Sequence, residues 1–354
     1  MRILINTDPQ DIQYRGLLLK AIHDAGHSGT VTARSYGLTE LIGVAKEVRA
    51  EAILCSNQQT LTQVVSTGSK SNQSDWRGAR INSSIPIFII QPASHLITLE
   101  HGEWLLNQDL TKLQQTKLPT FKYSYTICID LKLVSEAVWA CTKEAVATVV
   151  FDIETSKQNT ITSVAFTCLD RWGQLGATFC IPLTGWPTIS AVEDAYRAIK
   201  TILEYEGTAK CAHNGAFDCF QLLRHHIAVS GMLWDTEYLW WSWYAELEKS
   251  LAFISSVLLP DYYYWKAEGE HDPLGYNCKD TINTARCLVK LLAEMPNWAF
   301  VNYAKTIPLL IPLIRMAFEG FKVDIELLAK LKPEAKEYVD SKRATLQGMT
   351  ATPN

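Results

Sequence analysis

The stretch VVFDIETSK, residues 149–157, closes an apolar run on two acids, Asp152 and Glu154. Successive side chains of a strand point to opposite faces, so these two share one face while Phe151 and Ile153 take the other. Taken alone, a D-x-E of this kind is better read as a pair of exposed strand-end acids. What raises it above that reading is the rest of the chain.

Around it lie three β-rich runs, AVATVVFDIE (145–154), ITSVAFTCLD (161–170) and GATFCIPL (176–183), joined by the polar turns TSKQNT and DRWGQL. The pattern predicts an antiparallel meander. An amphipathic helix (189–207), a short strand (209–214), a helix (216–227) and a mostly helical remainder follow. Strands, helix, strand and helices in this order predict an α/β fold with a ribonuclease H-like layer, a mixed sheet flanked by helices.

Two further segments supply acids. HNGAFDCF (213–220) puts Asn214 and Asp218 where a short strand hands over to a helix, a place that commonly faces a ligand crevice in α/β folds. LGYNCKDTINTARCLVKLL (274–292) has a helical period that stacks Tyr276 and Asp280 on one face, with Leu288, Leu291 and Leu292 expected to pack. Singly, Asp218 reads as a first-turn helix acid and Asp280 as a solvated helix position. Four carboxylates gathered in one pocket would repel and raise one another's pKa values, so a cluster makes sense chiefly where cations bind.

The ordered set Asp152-x-Glu154, Asn214-x-x-x-Asp218 and Tyr276-x-x-x-Asp280 resembles the three exonuclease motifs of the DEDD superfamily, in its tyrosine-bearing branch. Residues 250–271 (SLAFISSVLLPDYYYWKAEGEH) and 310–324 (LIPLIRMAFEGFKVD) resemble family A DNA polymerases of phage or bacterial type. The resemblance covers about residues 146–354. It implies a 3′-5′ proofreading exonuclease that uses two Mg²⁺ or Mn²⁺ ions on a single-stranded or frayed DNA 3′ end, with a polymerase domain or subunit and other replication proteins as partners.

By the same resemblance Asp152 bridges both ions. Glu154 holds one ion close to the attacking water, and Asp280 completes that ion's shell. Asp218 supports the second, and the Tyr276 hydroxyl orients the water. Asn214, Thr155 and Phe217 are the candidate substrate contacts, with a core position the plainer reading of Phe217. The palm and fingers motifs of a polymerase are missing, so this chain is expected to be a piece of a larger polymerase or one product of a split enzyme. A ribonuclease D-like exoribonuclease and a non-catalytic module that binds replication partners are the alternatives.

Three units are expected: an N-terminal α/β domain over 1–145, the exonuclease domain over 146–300, and a helical segment over 301–354 that resembles the start of a polymerase thumb. The first carries βαβ-like alternation and a polar stretch, 66–84, that reads as a long loop. It shows no phosphate-binding glycine pattern, nucleophile elbow or metal-ligand cluster, which leaves docking or scaffolding as its default role.

A net charge of −4 argues against binding nucleic acid through a large basic surface. Nine scattered cysteines with no C-x-x-C suit free buried thiols, not a disulfide frame or a zinc knuckle. The N-terminus shows no signal-peptide pattern, no run approaches roughly 18 apolar residues, and no membrane partner is expected. A bacterial or phage-infected host cytoplasm is the expected compartment.

The aromatic run 234–244 is read as core, and His213, His225 and His226 as core or capping residues. EGEHD (268–272) is read as a solvated loop. Lys266, Lys279 and Arg286 could meet phosphates, with solvated surface the safer reading for each.

Overall fold

The computed structural model describes residues 1–65, 73–115 and 121–350. Two mixed sheets form, each flanked by helices. The first has the order β2-β1-β3-β5-β4, built from Ser28–Thr32 (β2), Arg2–Asn6 (β1), Ala52–Cys55 (β3), Ile87–Ile89 (β5) and Arg80–Ile81 (β4). All its pairings are parallel except β4 with β5. Its central strands are continuous apolar runs, with Ile3, Leu4, Ile5, Ile53 and Ile87 fully enclosed, as a parallel sheet covered on both faces requires.

The second sheet has the order β11-β10-β7-β8-β9-β6. Val146–Thr155 (β7), Ile161–Asp170 (β8) and Leu175–Pro182 (β9) form the expected antiparallel meander. Ala209–Ala212 (β10) and Met232–Asp235 (β11) extend it in parallel beyond β7, and Thr126–Ile127 (β6) pairs parallel with β9. This is the ribonuclease H-like layer.

Helices cover both faces. Thr167 hydrogen-bonds Thr281 of helix Pro273–Glu294 (2.9 Å), whereas its neighbour Cys168 meets Ala140 of helix Leu131–Thr142 (3.6 Å). Adjacent strand residues point opposite ways, so these helices lie on opposite sides. Asp152 stands opposite Ala165, and Glu154 opposite Ser163. Ser163 and Thr167 both bond helix Pro273–Glu294, so the alternation of the pleat puts Asp152 and Glu154 on that helix's side, across from small residues. A register shift follows Glu154, the irregularity that commonly re-aims side chains at a strand end.

Several expectations need correction. Within 66–84, residues 66–72 lie outside the described residues. The rest holds a short helix, Gln73–Trp76, and strand β4, with turns between and after them. Trp76 is fully buried against Tyr263 and Tyr264 at ring distances of 5.4 and 5.3 Å, which composition alone does not reveal. The second layer takes in residues on both sides of 145/146, since β6 and helix Leu131–Thr142 pack on it. Leu288 and Leu291 are buried, but Leu292 is 41% exposed because it falls beyond the packed arc of its helix. All nine cysteines are free and buried, as expected.

The turn into helix Gly215–Arg224 hangs on Asp235, the last residue of β11. Its carboxylate accepts from the backbone N–H groups of Gly215 (2.7 Å), Glu237 (2.9 Å), Asn214 (3.2 Å) and Tyr238 (3.3 Å). Asn214 sits there at φ 57°, a left-handed conformation that asparagine tolerates better than most residues. Asp235→Ala orphans these donors and is expected to cost about 2–4 kcal/mol in urea unfolding. A loss below about 0.5 kcal/mol would show that the turn is held by something else.

Candidate active site

Asp152 and Glu154 on β7 and Asp280 on helix Pro273–Glu294 each bring a carboxylate oxygen to within 4.8 Å of the others. Asp218, from the first turn of helix Gly215–Arg224, accepts the backbone N–H of Ile153 at 3.0 Å, between the two strand acids. Its charge is the largest of those acting on Asp152. Of the four acids expected to converge, three meet in one cluster, and Asp218 is held on the strand backbone beside it.

Their environment opposes ionisation. Burial, then the charges of Asp218, Asp280 and Glu154, push the Asp152 carboxyl well above its usual range. Burial and Asp280 push Glu154 up to about 7. Asp218 also rises to about 7 through burial, against the lowering effect of the Ile153 N–H. Asp280 is raised by burial, opposed by Lys266 and by the Trp265 indole, whose Nε1 donates to Asp280 Oδ1 at 2.5 Å.

The Tyr276 hydroxyl lies at the same edge, 2.7 Å from Lys266 Nζ. Lys266 also reaches Asp280 Oδ2 at 3.4 Å and is itself largely enclosed. Lys266, expected on the solvated surface, is instead drawn into the site. The correction comes from the 3₁₀ turn Trp265–Glu268, which buries Trp265 fully and turns its neighbour inward. Trp265 was missed as well, and no periodic signal marks either residue.

The same correction applies to the other cations. Lys279 pairs with Glu268, and Arg286 pairs with Asp261 while covering the Phe121 ring at 4.1 Å. EGEHD is more than a solvated loop, since Asp272 caps helix Pro273–Glu294 through the Gly275 N–H (2.9 Å).

Thr155 lies at the end of β7 and lines a cleft of about 690 Å³ with Glu154, Trp186, Leu274 and Tyr276. Asn214 lines a second cleft of about 350 Å³ with Asp152, His213 and Asp280. Phe217 is 44% exposed on its helix and not a core aromatic. In the run 234–244, Leu239 and Trp240 are core, while Trp241 is 43% exposed on the opposite face. The His213 ring meets Thr236 Oγ1 at 2.9 Å; burial and the Lys266 charge press its pKa down to about 3, leaving it neutral. His225 packs against Tyr196, and His226 turns the chain at φ 58°.

Clustered carboxylate oxygens are the donor set that hard divalent cations such as Mg²⁺ and Mn²⁺ prefer. The elevated pKa values are the mark of a site short of positive charge. Asp152, Glu154 and Asp280 thus fit a divalent ion, with Asp218 beside them.

No family model matches the chain, and no curated protein does. Solved structures do. The polymerase domain of Pol1 from M. smegmatis, in complex with DNA primer-template and dNTP, is 15% identical with a TM-score of 0.46, over 65% of this chain and 38% of that one. The catalytic core of RRP6 from Trypanosoma brucei is 14% identical with a TM-score of 0.43, over 62% and 59%. Escherichia coli RNase D, an exoribonuclease involved in structured RNA processing, is 17% identical with a TM-score of 0.34, over 57% and 52%. The chain spans less than two thirds of each.

Acids whose folded pKa exceeds the unfolded value hold extra protons in the native state. The stability they allow is fully present below about pH 4 and is lost as pH rises through about 7. Calorimetry of the metal-free protein in EDTA should therefore give a lower Tm at about pH 8 than at about pH 5.5. Asp152→Asn should flatten that slope. A Tm that is flat or rising across this window would contradict the packing described here.

Proposed function

We propose that the chain is a metal-dependent 3′-5′ exonuclease that hydrolyses phosphodiester bonds at DNA 3′ ends. The observation that carries this is the meeting of Asp152, Glu154 and Asp280 within 4.8 Å, with the Tyr276 hydroxyl at the same edge. The layer that carries the acids, including β6 and helix Leu131–Thr142, acts as the catalytic unit to about residue 300; the layer before it acts as a docking unit, and 301–354 as the lead into a polymerase domain or subunit.

Two divalent ions supply a more acidic water and charge neutralisation on the phosphoryl and leaving oxygens. Asp152, Glu154 and Asp280 would hold them, with Asp218 in support. Tyr276 orients the attacking water through its hydroxyl. Glu154, two residues along the strand from Asp152, would hold an ion close to that water.

The larger cleft runs from Glu154 past Thr155 to Trp186 and is of a size that takes a terminal nucleotide. Phe217, exposed beside Asp218, offers a ring on which an unpaired base can stack. The preference for DNA rests on the likeness of residues 250–271 and 310–324 to family A polymerases.

Digestion of matched 5′-labelled DNA and RNA single strands with Mg²⁺ tests this. A ladder that shrinks from the 3′ end on DNA, is abolished by EDTA and falls at least about a hundredfold in Asp152→Ala is the expected result. Faster digestion of RNA would select the ribonuclease D-like alternative. Intact substrate, or undiminished cutting by the variant, would remove the nuclease assignment. Tyr276→Phe should lower kcat by about ten- to a hundredfold and leave KM nearly unchanged, because the hydroxyl acts on the water and not on strand binding.

A further inference from the structure

We propose that Lys266 is a resident cation of the carboxylate site, a positioning residue that holds the Tyr276 hydroxyl and Asp280 in place and competes with divalent ions for the acids. The inference rests on the nuclease reading above and concerns a residue that reading does not use.

Three observations support it. Lys266 Nζ donates to the Tyr276 hydroxyl oxygen at 2.7 Å and lies 3.4 Å from Asp280 Oδ2, so one ammonium ties together the two residues of the third motif. An ammonium donating to the phenol oxygen leaves the hydroxyl's own proton free to point elsewhere, which fixes a rotor that would otherwise turn. The same charge faces the rest of the cluster and opposes the upward shifts on Asp152, Glu154 and Asp280.

Its placement is held by packing. The Lys266 ammonium lies over the Trp265 ring at 5.6 Å and over the Tyr276 ring at 5.0 Å, and the adjoining Trp265 is fully enclosed. Among the described residues Lys266 alone lines both clefts, the larger one beside Glu154 and Thr155 and the smaller one beside Asp152 and Asn214. It therefore sits where the two halves of the site meet.

The electrostatic consequence has a definite sign. A fixed positive charge within 3.4 Å of a ligand carboxylate repels an incoming divalent ion while sparing the acids part of their mutual repulsion. Removing it should make the acids a stronger trap for metal and, at once, release the tyrosine. A lysine that merely propped up the fold would loosen the site when removed, and metal would bind more weakly.

Lys266→Met in the full chain tests this, with Lys266→Gln as a second variant and metal-free thermal unfolding of both to verify folding. Equilibrium binding of Mn²⁺, followed by electron paramagnetic resonance, should tighten by about tenfold. On a 5′-labelled strand kcat should fall by about ten- to a hundredfold, with KM changed less than about threefold. Lys266→Arg, which keeps the charge, should return Mn²⁺ affinity to within about threefold of the unaltered protein. Unchanged or weaker Mn²⁺ binding by folded Met and Gln variants, or wild-type kcat in them, overturns the role of Lys266 and leaves the nuclease reading standing. An unaltered chain that neither binds Mn²⁺ nor cuts overturns both.

Discussion

Asp152, Glu154 and Asp280 bring three like charges within 4.8 Å of one another, and Asp218 adds a fourth beside them. Left to themselves these groups would separate or neutralise, because a low-dielectric pocket magnifies their repulsion. They stay because each is anchored by something stiffer than its own side chain. Asp152 and Glu154 are fixed by the pleat of β7, which pairs with β8 at both positions and with β10 just before them, over residues 148–150. Asp218 is tied to the Ile153 N–H, and Asp280 to the Trp265 indole. The strain of gathering them is spread over the sheet and two helices.

The N-terminal layer contributes to this indirectly. It packs against the segment that leads into Trp265 and Lys266: Arg80 N–H donates to the Tyr262 carbonyl at 2.9 Å, and Trp76 rests on Tyr263 and Tyr264. Behind them Arg77 forms a buried ion pair with Asp109 at 2.8 Å, lies over the Phe253 ring at 4.9 Å and bonds Ser256. Lys112 donates to the carbonyls of Gly78 (3.0 Å) and Ser256. Two cations against one carboxylate in a closed space are tolerable only with such hydrogen bonds, and burial presses Lys112 down to about 7. Buried polar contacts of this kind fix orientation more than they add stability, and here the segment they orient carries the indole that holds Asp280.

The meander and the four acids were legible because strand and helix periods act over short distances. Asp152 and Glu154 follow from a period of two, and Tyr276 and Asp280 from a spacing of four. Trp265, Lys266 and Asp235 were not legible, because each works from an irregular turn where no period constrains which way a side chain points. Strand β2, with its half-buried SGTVT, and the two-residue β6 lacked the apolar runs by which strands announce themselves. Trp76 was hidden for the opposite reason, one buried anchor inside a stretch whose composition is polar.

Helix Pro273–Glu294 raises the question of why its face toward the sheet is so polar. An apolar face would pack there at least as stably, but leucines can slide or rotate by a fraction of a turn at small cost. Asn277 instead donates to Ser163 at 3.3 Å, Thr281 bonds Thr167 at 2.9 Å, and Asn283 accepts from Tyr123 at 3.1 Å. These bonds are sensitive to the helix's rotation and register. Tyr276 and Asp280 stand next to this polar face, so a slip of one residue would turn both away from β7. The polar face therefore fixes the helix's rotation, and that rotation is what brings the third motif to the first.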